Sequence, residues 1–257
     1  MDYREVYEQW LANPYFDDAT KEELKNIAEE ENEIKERFYM DLEFGTAGLR
    51  GVIGAGVNRM NIYTVRKTTQ GLANYIAAVN GQAKGVAIAH DSRRMSPEFA
   101  KEAALCLAAN GVKAYIFDSL RPTPELSFAV RKLGCIAGIN ITASHNPPEY
   151  NGYKVYWEDG AQLPPAEADV VASEMAKTDI FTDVKNADYD ESVKNGLIRI
   201  LSKETDEAYL GEVIKVAVNP DCVKQVADEF KLVYTPFHGA GYRLVPEILR
   251  RLGYKHI

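Results

Sequence analysis

Three short apolar runs that alternate with helical patterns constrain the fold of this chain more than any other feature. Gly85–His90, Lys113–Phe117 and Cys135–Ile141 each have the length and character of a buried strand. The segments between these runs, Pro97–Asn110 and Thr123–Leu133, have the residue pattern of helices. Strands that alternate with helices through short connections predict right-handed crossovers. We therefore expect an α/β fold with a mixed, mainly parallel sheet layered with helices.

Three loops follow the carboxyl ends of these strands. They are His90–Ser96, Asp118–Pro124 and Thr142–Gly152. Ligands of open α/β sheets bind at this edge, where the strands end. The loops are therefore the first candidates for a functional site.

The flanking segments have different patterns. Residues from Asp2 to Arg37 predict two charged amphipathic helices, which would form an N-terminal arm. Leu42–Gly56 is apolar and glycine-rich, as expected for a strand and a loop, and Asn61 is suited to cap a following helix. Tyr153–Trp157 predicts a further strand, which precedes a helix over residues 166–177.

A domain boundary is expected near Leu201, which gives a first domain over residues 1–200 and the start of a second over residues 201–257. The second part predicts helices over residues 204–218 and 222–230, a strand at Lys231–Phe237 and a final helix after Gly241. One strand cannot close a sheet and a core. We therefore expect a truncated second α/β unit.

Composition and charge exclude several classes of function. Among the 257 residues no apolar run approaches the roughly 20 residues that cross a bilayer, and the N-terminus lacks the apolar stretch of a signal peptide. A cytoplasmic protein is expected. The net charge of −8 and the pI of about 5.2 argue against nucleic acid or an anionic membrane as the partner. A small anionic substrate stays possible, because exposed charges are screened over about 8 Å. Whether an anion binds therefore depends on the basic residues near the site rather than on the net charge.

The three cysteines and the glycine-rich segments do not indicate a cofactor. Cys106, Cys135 and Cys222 are far apart and form no C-x-x-C pair, which indicates reduced thiols rather than a zinc site or disulfides. Neither G-x-G-x-x-G nor G-x-x-x-x-G-K-[ST] is present, which disfavours ATP and NAD.

The segment after the third apolar run carries the most chemical information. Ser144 follows that strand in a loop of small polar residues, which Asn146 and two prolines stiffen. The next residues, up to Lys154, reverse the chain and return a cation towards the serine, while His145 can move protons near neutral pH. Ordinary turn chemistry explains a lone Ser-His-Asn sequence equally well. On the residues alone, a functional serine and a plain turn both stay open.

The segment T-A-S-H-N-P-P-E-Y-N-G-Y-K at residues 142–154 is similar to the phosphoserine loop of the α-D-phosphohexomutase family, which includes phosphoglucomutases and phosphomannomutases. Gly45–Gly51 resembles the substrate-facing loop of that family, and His90–Ser96 resembles its D-x-R segment. Val233–Gly241 resembles the first strand and the H-G-x-G loop of the second domain of the family. Within the family, the sequence of the Gly45–Gly51 loop is most similar to the phosphoglucomutase and phosphopentomutase branch.

The resemblance implies a role for each matching residue. Ser144 would carry a phosphoryl group, pass it to a sugar monophosphate and recover another from the bisphosphate, with glucose 1,6-bisphosphate as intermediate and activator. Arg50, Lys154 and a divalent cation would stabilise the transferring charge, and His145 is the candidate for steering a proton. The expected substrate-binding residues are Thr46, Arg50, Arg93, Asn146 and Lys154.

The resemblance also implies parts that this sequence does not contain. Mg²⁺ would be held by the Ser144 phosphate and by three aspartates of a D-G-D-x-D-R loop, which is absent here. We therefore expect the 257 residues alone to bind no magnesium tightly and to turn over no substrate, and the remaining domains of the same protein to be required partners. The residues that select glucose, mannose or pentose would lie in those domains.

Several alternatives stay open at this stage. Arg93 either grips phosphate or holds its loop, and Arg94 is the weaker candidate for the same roles. His90 is expected to be structural, and His238 either faces the site or caps a loop. A serine hydrolase that uses Ser144 and His145 is disfavoured, because no G-x-S-x-G elbow is present. A non-catalytic module that binds sugar phosphates is a third reading.

Overall fold

A six-stranded mixed sheet forms the centre of the fold within the described residues, which are 2–46 and 48–257 of a computed structural model. Of the sequence motifs, Ala47 in the Gly45–Gly51 segment lies outside these residues. The strands are β1 (Leu49–Val52), β2 (Val86–His90), β3 (Ala114–Phe117), β4 (Ala137–Ile141), β5 (Tyr150–Trp157) and β6 (Ile198–Leu201). Their order is β1-β5-β4-β2-β3-β6, with β5 antiparallel to both of its neighbours and the other pairs parallel. This arrangement confirms the predicted fold class.

Helices cover both faces of the sheet. They are α1 (Tyr3–Ala12), α2 (Asp18–Asn26), α3 (Glu31–Phe38), α4 (Ile62–Ala78), α5 (Ser96–Ala109), α6 (Thr123–Leu133), α7 (Pro165–Lys177), α8 (Tyr189–Lys194), α9 (Lys203–Lys215), α10 (Pro220–Val226) and α11 (Leu244–Arg251). The main core joins α4, α5 and α7 to one face of the sheet. A smaller core joins α6 to the other face. No described helix is long and apolar enough to cross a membrane.

Local sequence signals set the helix ends as predicted. Asn61 caps α4, because its side chain accepts hydrogen bonds from the backbone N–H groups of Tyr63 and Thr64 at 3.1 and 2.9 Å. Gly134 ends α6 in the left-handed conformation (φ 66°). These ends keep the connections short, so the loops that follow β2, β3 and β4 meet at one edge of the sheet.

The N-terminal arm contains three helices rather than the predicted two. α1, α2 and α3 are short, and Trp10, Phe16 and Tyr63 pack as an aromatic cluster between the arm and α4. The aromatic rings bury a large apolar area, so packing on the domain compensates for helices that are too short to be stable alone. The arm therefore belongs to the first domain's structure.

Two further sequence expectations differ from the structure. No strand was predicted at Ile198–Leu201, but these residues form the edge strand β6 beside β3. Lys231–Phe237 was predicted to be a strand, and that prediction is wrong, because only one bridge forms there, between Lys231 and His256. Val233 is 94% exposed and Phe237 is 85% exposed. A strand needs a neighbour to pair its backbone, and the described residues offer this segment only that bridge.

A buried arginine joins the stretch after Leu201 to the sheet. Arg121 precedes α6 and is 1% exposed. Its guanidinium donates to both carboxylate oxygens of Asp206 in α9, at 2.7 and 3.1 Å, and to Asp118 at 3.0 Å. Glu125 lies 3.6 Å from the same guanidinium, and neither of its oxygens accepts a hydrogen bond within the described structure.

Candidate active site

Ser144 lies in a strained turn directly after β4. Its backbone has φ 56°, a left-handed conformation that costs a non-glycine residue of the order of 1 kcal/mol. The hydroxyl of Thr142 accepts a hydrogen bond from the Ser144 N–H at 3.0 Å, and the N–H of Asn146 donates to the carbonyl of Ala143 at 3.1 Å. The turn thus holds Ser144 exposed at the carboxyl edge of the sheet.

The return strand begins earlier than the sequence indicated. Asn151 and Gly152 were read as the chain reversal, but both lie within β5, and the turn is at Pro147–Tyr150, where N–H and carbonyl are 3.1 Å apart. A Cβ on Gly152 would lie 2.7 and 2.8 Å from the carbonyl oxygens of Thr142 and Leu49. Only glycine allows β4 and β1 to approach β5 this closely.

Lys154 lies on β5 in register with Asn140 of β4. Burial lowers the pKa of its ammonium below the usual range, and the nearby charge of Arg50 lowers that pKa further. Within the described residues the ammonium has no carboxylate partner. A bound anion would relieve the repulsion between these two cations.

The first loop brings Arg50 to the same place. β1 pairs with β5, with Arg50 opposite Gly152, and the Arg50 guanidinium donates to the side-chain carbonyl of Asn146 at 2.9 Å. Thr46 is exposed in the tight turn between Gly45 and Gly48. Arg50 therefore contacts the Ser144 loop through Asn146, and its charge lies close enough to Lys154 to lower the pKa of that ammonium.

Arg93 contacts the Ser144 loop from the neighbouring loop. Its guanidinium donates to four backbone carbonyls, which belong to Ser144 (3.0 Å), Asn146 (2.5 Å), Pro147 (2.8 Å) and Tyr150 (3.0 Å). Of the two alternatives that the sequence left open, this pattern favours holding the loop over gripping phosphate.

His145 follows the serine, and its Nδ1 lies 3.4 Å from the Ser144 hydroxyl oxygen. This separation is long for a hydrogen bond that involves a hydroxyl. No carboxylate in the described part of the chain orients the imidazole. A hydrolase needs a base that is itself oriented by a third group, so the geometry does not support that alternative.

The Ser144 loop forms one wall of a cleft of about 620 Å³, and the loop around His238 forms the opposite wall. The Ser92 hydroxyl donates to the carbonyl of His238 at 2.5 Å, which joins the walls at one end. His238 therefore does face the site, whereas His90 is buried, with its Nδ1 2.8 Å from the Asp91 carbonyl oxygen.

Sequence reasoning missed two residues that support the site. Asn151 is fully buried, and its side-chain amide donates to the Arg94 carbonyl at 3.0 Å and to the Ser96 hydroxyl at 2.9 Å. Asp91 accepts from the backbone N–H of Arg93 at 2.9 Å and from the Ser96 hydroxyl at 2.7 Å. The available signals for Asp91 were its place directly after a buried strand and in the D-x-R segment, and Asn151 was hidden by its resemblance to a turn.

Within residues 2–46 and 48–257, no group of three or more His, Cys, Asp or Glu residues could hold a metal ion. Ser144 offers one hydroxyl oxygen, and a phosphate on it would add further oxygen ligands. The fold and the site together define an α/β domain that presents an exposed serine at the carboxyl edge of its sheet, in a loop that Arg50 and Arg93 contact.

The chain belongs to the phosphoglucomutase/phosphomannomutase family. Residues 41–180 match the family model described as phosphoglucomutase/phosphomannomutase, alpha/beta/alpha domain I. A phosphoglucomutase of Staphylococcus saprophyticus is 41% identical over 213 residues, which are 83% of this chain and 38% of the relative. A phosphoglucomutase of Staphylococcus epidermidis is 36% identical over an alignment of 259 positions, gaps included, which covers 97% of this chain and 43% of the relative.

Solved structures agree with this membership. A Thermus thermophilus structure described as a phosphomannomutase superposes with a TM-score of 0.68 at 26% identity, over 84% of this chain and 45% of the other. Parafusin from Paramecium, in its open form, superposes with a TM-score of 0.65 at 19% identity and covers the same 84% of this chain, which shows the shared fold alone. The chain thus spans about two fifths of the length of its curated relatives.

Proposed function

We propose that the protein to which this chain belongs interconverts the 1-phosphate and the 6-phosphate of a hexose, most simply glucose, through a phosphoserine at Ser144. The observation that carries this proposal is an exposed serine, held in a left-handed turn, in a loop that the Arg50 guanidinium contacts, with Lys154 near Arg50 and without a carboxylate partner among the described residues. The names of the staphylococcal relatives, both phosphoglucomutases, support the choice of sugar.

The chemistry assigned to the site is a reversible phosphoryl transfer. The sugar hydroxyl oxygen attacks phosphorus, its bond to phosphorus forms and the bond from phosphorus to the Ser144 oxygen breaks. The proton of the sugar hydroxyl leaves to a nearby base, and the serine oxygen ends protonated. His145 is our candidate for handling that proton. The bisphosphate then reorients and returns its other phosphoryl group to Ser144, so no phosphate is consumed.

Arg50 and Lys154 are assigned to the charge of the transferring group. A phosphoserine brings roughly −1.5 to −2 charges, and preorganised cations stabilise the transition state without reorganising during the reaction. Thr46 and Asn146 are assigned to substrate binding, because they lie in the two loops that enclose the serine. Binding of phosphate should also raise the pKa of Lys154 towards its ordinary value, because an anion favours the ammonium form.

Mg²⁺ and glucose 1,6-bisphosphate are proposed as the cofactor and the activating intermediate. The donor set of the described residues fits the metal only in part, since Ser144 would contribute one phosphate oxygen and no acidic cluster accompanies it. When bound, the cation would neutralise phosphate charge. The remaining ligands are assigned to other domains of the same protein, so the 257 residues alone should not turn over substrate. We also propose a cytoplasmic location and no partner among nucleic acids or membranes.

The proposed domain division follows the sheet. Residues 1–200 form the first domain, because the last described strand, β6, ends at Leu201. Residues 201–257 begin the second, in which His238 reaches the cleft. A phosphopentomutase or a phosphomannomutase of the same family, and a non-catalytic module that binds sugar phosphates, are the alternatives.

The test uses the complete protein and Ser144→Ala. After incubation with glucose 1,6-bisphosphate, intact-mass measurement should show one added phosphate on the unsubstituted protein and none on Ser144→Ala, and mutase activity should fall to the background of the assay. Ser173→Ala, which removes an exposed serine from α7, is the matched control and should behave as the unsubstituted protein. Normal interconversion by Ser144→Ala would overturn the proposal. Phosphate uptake without turnover would favour the non-catalytic module.

A further inference from the structure

The geometry of the Arg93 guanidinium accounts for all of its hydrogen-bond donors. A guanidinium has five N–H groups in a fixed planar arrangement. Nη1 donates to the carbonyls of Pro147 and Tyr150, and Nη2 donates to those of Ser144 and Asn146. The remaining donor, on Nε, faces the Asp91 carboxylate at 3.4 Å. No N–H group is left to bind a phosphate.

The four carbonyls belong to the segment that needs support most. Residues 142–149 connect β4 to β5 without regular structure, and Ser144 within them has a left-handed backbone. Two turn hydrogen bonds, from Asn146 to Ala143 and from Tyr150 to Pro147, are the only backbone bonds described within the loop. A loop with so few bonds of its own opens easily. The guanidinium connects both ends of this loop and its middle.

Arg93 is itself held in place. The Asp91 carboxylate accepts from the Arg93 backbone N–H at 2.9 Å and lies beside Nε, so it fixes both the backbone and the side chain. The same carboxylate accepts from Ser96, and Ser96 accepts from Asn151 of β5. The Arg93 side chain is 13% exposed. The bonds therefore form a chain of fixed groups from β5 through α5 to the Ser144 loop.

We propose that Arg93 is a positioning residue, which clamps the carbonyls of residues 144, 146, 147 and 150 and thereby fixes the Ser144 hydroxyl, and that it is not a ligand of the substrate phosphate. This inference rests on the proposed phosphoserine role of Ser144. Four hydrogen bonds from a charged donor exceed what lysine can replace, because an ammonium has three donors and no planar fork. The inference therefore separates Arg93 from Arg50 and Lys154, whose cations face the transferring group.

The test compares Arg93→Ala and Arg93→Lys in the complete protein. A misplaced reacting group costs on the order of 10²-fold, so we expect kcat to fall about that much in both variants while the KM for the sugar phosphate changes less than about threefold. Added guanidinium ion should restore part of the kcat of Arg93→Ala and none of the kcat of Arg93→Lys, whose side chain occupies the space. A phosphate ligand would instead give a large rise in KM, and that result would overturn the proposal.

Amide hydrogen exchange supplies an independent measurement that needs no catalysis. The amides of Asn146 and Tyr150 should exchange at least about tenfold faster in Arg93→Ala, while those of β2 and β4 stay protected. Arg131→Ala, which removes an exposed arginine of α6, is the control and should leave the loop amides unchanged. Unchanged loop exchange in Arg93→Ala would overturn the clamp. If the unsubstituted protein takes up no phosphate but its loop loosens in Arg93→Ala, the clamp stands and the proposed function fails.

Discussion

Two arginines at the same edge of the sheet have opposite surroundings. Arg93 follows β2 and donates mainly to neutral backbone carbonyls, with one carboxylate, Asp91, at its Nε. Arg121 follows β3 and is surrounded by the carboxylates of Asp118, Asp206 and Glu125. Both side chains have little exposure, 13% and 0%. Arg93 therefore fixes the Ser144 loop through hydrogen bonds to its carbonyls, whereas Arg121 joins neighbouring segments through ion pairs.

The difference shows how a positive site is kept available for an anion. Around Arg121 the acids outnumber the guanidinium, and only Arg243, 3.8 Å from both Asp118 and Asp206, adds a second positive charge. Around Ser144, Arg93 uses carbonyls, and Arg50 uses an amide oxygen. The amide oxygen of Asn146 holds Arg50 without cancelling its charge, whereas the Asp91 carboxylate lies beside the Nε of Arg93. The first arrangement is suited to joining segments, and the second to attracting phosphate.

Removing Arg121 should have the largest effect on folding. Arg121→Ala would leave the buried Asp206 with Arg243, at 3.8 Å, as its remaining cation among the described residues, and breaking a buried ion pair from one side costs about 3–5 kcal/mol. Urea denaturation should show a loss of this size in the free energy of unfolding. Arg199→Ala, whose side chain is 60% exposed and 4.0 Å from Glu204, should cost less than about 1 kcal/mol. Equal losses in free energy of unfolding for the two variants would show that the buried ion pairs of Arg121 stabilise the fold no more than an exposed ion pair does.

Removing Lys154 should affect phosphoryl transfer rather than folding. Lys154→Met keeps the side-chain length and removes the cation, and the loss of one preorganised group that stabilises transition-state charge costs on the order of 10²–10³-fold in kcat. Stability should stay the same or rise slightly, since burial and Arg50 disfavour this ammonium in the absence of phosphate. The measurement is the rate of phosphate transfer in the complete protein.

A matched control for this prediction is Lys84→Met, which removes an exposed lysine paired with Glu158 on the surface. Transfer by this variant should proceed at the rate of the unsubstituted protein. If Lys154→Met also transfers phosphate at that rate, the cation on β5 has no part in the reaction, and the electropositive character assigned to the Ser144 region loses its main support.

The sequence motifs place several of their residues at one edge of the sheet. Arg50 meets Asn146 in the Ser144 loop because the apolar runs fix β4 and β5 and because Gly152 allows β1 and β4 to approach β5 closely. The role of Arg93 could not be derived in this way, because its four acceptors are backbone carbonyls. Every residue has a backbone carbonyl, so the sequence does not show which ones accept hydrogen bonds.

The errors at the periphery have a different cause. Ile198–Leu201 has two buried residues and two exposed ones, so its strand character depends on the edge of β3 that it joins. Lys231–Phe237 has the composition of a strand but no neighbouring strand in the described residues. In both cases local propensity is weaker than the availability of a partner, which is a tertiary property.

Substitution of Glu125 should give the smallest effect, and it tests how many ionised acids surround Arg121. Burial, followed by the neighbouring Asp206, raises the pKa of its carboxyl to about 8 from 4.5. The folded protein therefore holds a proton that the unfolded chain releases, so this group's contribution to stability is complete below about pH 4.5 and is lost as the pH rises towards 8. Glu125→Gln mimics the protonated form, and it should remove this part of the pH dependence, so that the protein is about 1.4 kcal/mol more stable than the unsubstituted protein at pH 5.5, one unit above 4.5. Glu98→Gln, at an exposed position in the first turn of α5, should leave the pH profile unchanged. A stability that rises from pH 5 to pH 8 and is lowered by Glu125→Gln would mean that Glu125 is ionised against Arg121, and then Arg121 would be surrounded by three ionised acids rather than two.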